Sequence, residues 1–173
     1  MPLQLLHIAA FGANGTVPQR NETYLNGGAA YYRVYRTKDS RHVMLGAVEV
    51  KFWSAFCTAA GRPEWIERHG APTPQSNLID EVANFFARLS LAECLRRFTG
   101  VDCCLTPVLD LGETLRSSYH RERQIVRTSP DGDLQALFPA LVDGVAPPHR
   151  PRLREGAEGG FEALAVGRDR EQS

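Results

Sequence analysis

Glu49 is the side chain in this 173-residue sequence whose setting most invites chemistry. It directly follows the apolar run Val43–Val48, and a helix-like stretch begins directly after it. A carboxylate at the end of a buried strand can orient a histidine or take part in proton transfer. Burial there would desolvate it, a cost that a donor or cation must offset. The same position suits an ordinary acid at a helix start, stabilised by the helix dipole. Residue types alone leave both roles open. Lys51 offers an ion-pair partner of the exposed sort, which contributes little.

The other chemistry-bearing side chains form no constellation. His7, His42, His69, His120 and His149 fall in no HxxxH or HExxH pattern. Cys57, Cys94 and the adjacent Cys103–Cys104 make no CxxC, and no histidine stands near them at ligand spacing, so no metal is expected. There is no GxSxG, no phosphate-cradling glycine loop and no dinucleotide-binding GxGxxG. The histidines read as surface or core filler. The cysteines read as buried small hydrophobes with reduced thiols.

The elements that must position Glu49 are readable from periodicity. Tyr31–Arg36 and His42–Val48 are strand-like runs around a Lys38–Asp39–Ser40 turn, which predicts a hairpin. The second run is almost purely apolar, as expected of a strand covered on both faces. Lys51–Ala60 carries Phe52, Phe56, Ala59 and Ala60 on one helical stripe, stopped by Gly61. Pro63 opens a short helix over Glu64–His69, and Gly70–Gln75 is a break. Asn77–Leu89 has the strongest helical period, with Asn77 as candidate N-cap. Ser90 and Glu93 form a capping box for a further helix with Leu91, Cys94, Leu95 and Phe98 inward.

Cys103–Leu109 reads as a strand, at an edge or bulged because Pro107 cannot donate to a ladder. Asp110–Glu113 resembles another helix start. Gln124–Thr128 and Leu134–Leu141 are short strands around a Ser129–Gly132 turn. Upstream, Leu3–Phe11 looks like the end of a buried helix that stops near Gly12. The resulting expectation is an α+β fold, a small three- to four-stranded sheet with flanking helices. Residues 1–26 form an N-terminal helix and linker, 27–141 the α/β domain, and 142–173 a Pro/Arg/Gly-rich tail.

The totals bound the function. Lys plus Arg and Asp plus Glu are each 20, so no global field draws the chain to nucleic acid or an acidic membrane. A hydrophobic fraction of 43% and a charged fraction of 23% are those of a globular domain with a core. No signal peptide or membrane span is recognisable, and with the cysteine usage this predicts a cytoplasmic protein.

Several blocks, in order, resemble family III CoA-transferases, and most of all the alpha-methylacyl-CoA racemase branch. They are Gly27–Gly28–Ala29–Ala30–Tyr31–Tyr32, then Tyr35–Arg36–Thr37–Lys38–Asp39, then Gly46–Ala47–Val48–Glu49–Val50–Lys51–Phe52–Trp53. The family pattern there is roughly GGxPxYxxYxTxDG, a strand, and GAxExxFW. Asp102–Val108 is similar to its D-x-C-x-x-P-V, Glu113 to its trailing acid and Arg123 to its late arginine. Pro147–Pro148 and Leu153–Leu164 look like a worn closing motif. Ser40 replaces the family's turn glycine, Ala30 its proline, and Arg154–Ala157 blurs the closing motif.

The resemblance covers about Leu3 to Leu164 and implies the small domain of that fold. It implies acyl-CoA as substrate, no prosthetic group and no metal. Family members are about twice this long, and their N-terminal domain carries the catalytic aspartate, most of the CoA pocket and, in racemases, a histidine. Glu49 matches the small-domain glutamate that sits against that histidine, which favours a functional role over a capping one. The expected function is the C-terminal part of a CoA-transferase or racemase, inactive alone. Its expected partners are an N-terminal CoA-transferase domain in trans or a second copy in a homodimer. The competing expectation is a non-catalytic remnant or interaction module.

Overall fold

The computed structural model describes residues 5–150, apart from 16, 18, 139, 141, 142 and 146, with side chains from residue 8 onward. Residues 151–173, and with them the closing motif sought at Leu153–Leu164, lie outside the described residues. The chain divides into two compact units, the first ending at Val108 and the second beginning at Leu109.

The first unit opens with helix α1, Leu5–Asn14. It runs through Gly12 and is closed by Gly15, whose N–H donates to Phe11 O at 2.7 Å. The expected burial does not hold: Ile8 and Phe11 are about half exposed, and every described α1 side chain faces solvent in this chain. An apolar sequence forms the helix, but among the described residues none of its side chains is covered.

Strands β1 (Tyr32–Arg36) and β2 (His42–Gly46) make the expected hairpin, with Tyr35 opposite Val43 and Val34 opposite Met44. Strand β3 (Leu105–Pro107) pairs antiparallel on the far side of β2, so the order is β1-β2-β3. Pro107 sits on that outer strand, where its missing N–H leaves no ladder bond unmade within the sheet. β2 is not covered on both faces. Val43 and Leu45 are buried while Met44 and Gly46 are half-buried, the alternation of a sheet with one core face. The strand also stops two residues early. The Val48 N–H turns back to Gly46 O at 3.0 Å, which takes Val48 out of the ladder, while Ala47 N keeps one bond to Tyr31 O.

Helix α2 (Val50–Ala60) buries Trp53, Phe56, Cys57 and Ala60. The expected stripe through Phe52 and Ala59 is therefore rotated by one residue, because Trp53 is the larger apolar group and takes the core. Gly61 closes the helix in the left-handed region at φ 70°, as its sequence position predicts. A 3-10 segment, Pro63–Gly70, follows and buries Trp65.

Helix α3 (Ser76–Phe86) buries Leu78, Val82 and Phe86. Gln75, not Asn77, holds its N-cap position, and no side chain caps it. Gln75 is instead occupied elsewhere, as described below. Helix α4 (Leu91–Arg97) has the predicted capping box, with Glu93 N donating to Ser90 Oγ and Ser90 N to Glu93 Oε2. Cys94 and Phe98 point inward, but Leu95 is exposed. The tip of the β1–β2 hairpin reaches the α3–α4 junction. There Lys38 N donates to Leu89 O at 2.8 Å, and both Asp39 carboxylate oxygens accept from Leu91 N at 3.1 Å. Phe56 stacks on Trp65, Phe86 and Phe98 at centroid distances of 6.3, 5.7 and 5.3 Å, which makes it the hub of the core.

In the second unit, Asp110 and Glu113 cap helix α5 (Leu111–Arg116) reciprocally, at the helix start the sequence suggests. Ser117 then starts a helix that periodicity does not reveal, α6 (Ser118–Arg123), short and polar with no apolar stripe to betray it. Strands β4 (Val126–Thr128) and β5 (Leu134–Ala136) form a separate two-stranded ladder. Among the described residues the architecture is mixed helix and strand, with two small antiparallel sheets of three and two strands.

Candidate functional site

Glu49 occupies the N-cap position of α2, with φ −79° and ψ 139°. Its main-chain oxygen accepts from Phe52 N at 3.0 Å and Trp53 N at 3.1 Å, which starts the helix. Its side chain makes no cap hydrogen bond. It is exposed, against the burial that the end of an apolar strand suggested. Glu49 thus sits where a capping acid sits and does not use its carboxylate to cap.

The corner that carries Glu49 is tied down from several directions. Tyr31 O accepts from Ala47 N at 2.8 Å, and Gly46 N donates to Cys104 O at 2.9 Å. Ala29, Ala30 and Ala47 are fully buried. Gly28 is required by close approach: a Cβ there would lie 2.5 Å from the main chain of Glu22. Its own N–H donates to Thr23 O at 2.8 Å and its carbonyl accepts from Gln75 N at 2.8 Å.

Gln75 also holds this corner, carries no signal in the sequence, and is one of few buried polar side chains among the described residues. Its Oε1 accepts from Ala30 N at 3.0 Å, and its Nε2 donates to His69 O at 3.0 Å and Ala71 O at 2.9 Å. One side chain therefore joins the glycine loop to the end of the 3-10 segment. A polar residue in a proline-rich break carries no sequence signal for such a role.

His69, filler by its sequence setting, is placed at the same corner. Its ring stacks on Tyr31 at 4.2 Å, and its Nε2 lies 2.9 Å from the carbonyl oxygen of Val48. Cys104 is exposed, against the expectation that all four cysteines are buried, and takes a left-handed φ of 52°. Its thiol is pushed above the ordinary value by partial desolvation first, then by the Asp102 and Glu49 carboxylates, with Lys51 opposing. Cys57, Cys94 and Cys103 are buried, as expected. Burial pushes Cys57 up to about 12 and Cys94 up to about 11.

The remaining described histidines lie elsewhere in the chain. His42 lies at the opposite end of β2 and is exposed, and His120 and His149 belong to the second unit. Among the described residues, no group of three or more His, Cys, Asp or Glu could hold a metal ion. No described helix is long and apolar enough to cross a membrane. A hollow of about 380 Å³ opens beside β1, lined by Asn21, Asn26, Gly27, Tyr32, Arg33 and Met44 among others, and Glu49 is not part of it.

A sequence model described as CoA-transferase family III matches residues 1–152, and the chain belongs to that family. It is 32% identical over 109 residues to alpha-methylacyl-CoA racemase from Mus musculus, covering 60% of this chain and 28% of the relative. It is 29% identical over 116 residues to alpha-methylacyl-CoA racemase from Homo sapiens, covering 66% of this chain and 30% of the relative. The chain thus spans under a third of the length of these curated relatives. The fold is similar to that of a CAIB/BAIF family protein from Brucella suis, with a TM-score of 0.66 at 14% identity, over 95% of this chain and 44% of that one. It is also similar to Rv3272 from Mycobacterium tuberculosis, with a TM-score of 0.57 at 17% identity, over 84% and 39%.

Proposed function

We propose that this chain supplies the glutamate-bearing wall of an acyl-CoA thioester site used for CoA transfer or for alpha-methylacyl-CoA racemisation. The observation that carries the proposal is Glu49: an exposed carboxylate, free of any capping bond, on a corner fixed by Tyr31, Ala47 and Cys104. Racemisation α to a thioester needs a base on one face, an acid on the other and stabilisation of an enolate. Transfer needs a carboxylate nucleophile. Glu49 alone meets neither requirement. As the family resemblance implies, it would orient a histidine brought by an N-terminal CoA-transferase domain, in trans or from a homodimer partner. The small-domain assignment and the inactivity of the chain by itself belong to the same proposal.

The test is reconstitution. The 173-residue chain, mixed with a separately produced N-terminal domain of a racemase-branch family member, is assayed for exchange of the α-proton of 2-methylacyl-CoA with deuterium. Activity is expected in the mixture and absent from either part. Glu49→Gln is expected to lower turnover by about 10²-fold, the low end of what a positioned acid–base group supplies. Unchanged turnover would return Glu49 to a helix-start charge, and activity of the chain alone would overturn the need for a partner.

A further inference from the structure

We propose that His69 is a positioning residue that fixes the peptide from which Glu49 projects; its value to catalysis rests on the function proposed above. A carbonyl oxygen can only accept, so the 2.9 Å contact with Val48 O requires the proton to sit on Nε2 of His69. In the neutral ring this leaves Nδ1 as the acceptor nitrogen. The ring plane is set independently, since it lies 22° from that of Tyr31 at 4.2 Å, and Trp53 closes a third side at 6.5 Å. The backbone of His69 is held in turn, because its carbonyl accepts from Gln75 Nε2.

These contacts close a cycle. The Tyr31 carbonyl accepts from Ala47 N, Val48 follows Ala47, His69 donates to the Val48 carbonyl, and its ring returns to Tyr31. The Val48 carbonyl is part of the peptide unit that leads into Glu49. At that point the β2 ladder has already ended, so no strand partner holds this carbonyl. Without the His69 bond the Val48–Glu49 peptide would be free to turn about Val48 ψ and Glu49 φ, and the angle at which the Glu49 end of α2 joins β2 would no longer be held. His69 therefore acts through the backbone, and it fixes a direction where the sheet no longer does. Positional errors of about 1 Å at a reacting group cost on the order of 10²-fold in rate, so such a restraint is worth having.

Two variants separate the donor from the ring. His69→Phe keeps a ring to stack on Tyr31 and removes the donor. His69→Gln removes the ring and keeps an amide N–H at similar reach. In the full chain alone, amide hydrogen exchange of Val50 and Trp53 and the shifts of the Glu49 and Val50 amides are measured by NMR. His69→Phe is expected to speed exchange about tenfold and move both shifts, and His69→Gln to restore both towards the parent values. In the reconstituted enzyme, His69→Phe should lower kcat about tenfold with KM within about twofold, again recovered by His69→Gln. Unaltered amides in a folded His69→Phe variant overturn the proposal, as does unaltered kcat in an active mixture. If no mixture is active, the functional reading fails, and the amide arm alone still supports or overturns the clamp. If His69→Phe does not fold, parent-like amides and kcat in His69→Gln support the donor role, and parent-like values in His69→Ala overturn it.

Discussion

A single residue, Glu49, carries the functional question, and its electrostatic neighbourhood offers a check independent of activity. Partial desolvation and, after it, the charges of Asp102 and Glu49 hold the exposed Cys104 thiol above the ordinary value. Removing one of those charges in Glu49→Gln should favour the thiolate and speed alkylation of Cys104 by iodoacetamide at about pH 8, by up to about twofold for charges screened by water. Mass spectrometry of the labelled chain reads this site selectively, because Cys57, Cys94 and Cys103 are buried. Gly28 supports a second residue-scale prediction. Gly28→Ala would drive a Cβ into the Glu22 main chain, and should cost about 1–3 kcal/mol in denaturant unfolding. The position of Glu49 is legible in the sequence from the abrupt change from apolar run to acid. The roles of His69 and Gln75 are not, because each works through a neighbour's main-chain atoms, and main-chain carbonyls leave no residue-type signal.

At the scale of elements, local signals are the most readable. The capping boxes at Ser90–Glu93 and Asp110–Glu113 and the stop at Gly61 follow from side chains and turns that bond their own near neighbours. Ser90→Ala should remove one capping acceptor and cost about 1 kcal/mol, read as a fall of about 2–4 °C in Tm. The departures are tertiary in origin. Asn77 has the right side chain for a cap, but Gln75 holds that position because its amide is drawn to Ala30, His69 and Ala71. The β2 run reads as doubly covered because Met44 is apolar, yet nothing in the first unit fully buries it. Ser40 illustrates tolerance: it adopts φ 61° in the hairpin turn where the family resemblance expects glycine, and its Oγ accepts from Arg36 at 2.7 Å. That bond offsets part of the strain of a left-handed residue.

For the molecule as a whole, the first unit rests on an aromatic core that encloses three thiols, Cys57, Cys94 and Cys103, of which the first two are shifted furthest. Burial raises Cys57 and Cys94 in the folded chain to about 12 and about 11 from an ordinary value of 9.0. The folded state therefore keeps protons that the unfolded chain releases once pH passes the ordinary thiol value. Their contribution is fully present below that value and is lost as pH rises through the folded values, so stability should fall between about pH 9 and 12. Urea midpoints at about pH 8 and about pH 10.5, with reductant present, check the sign, and Cys57→Ala with Cys94→Ala should flatten the difference. The α+β class is legible because helix and strand periods alternate clearly along the chain. Its separation into two sheets is not, since pairing partners are chosen by non-local packing. The bonds from Lys38 and Asp39 to Leu89 and Leu91 shape how that packing comes apart. The hairpin cannot fray from its tip without also loosening the helical pair. The two should open as one cooperative unit, and the glycine loop and Glu49 corner inherit that protection at the hairpin's other end.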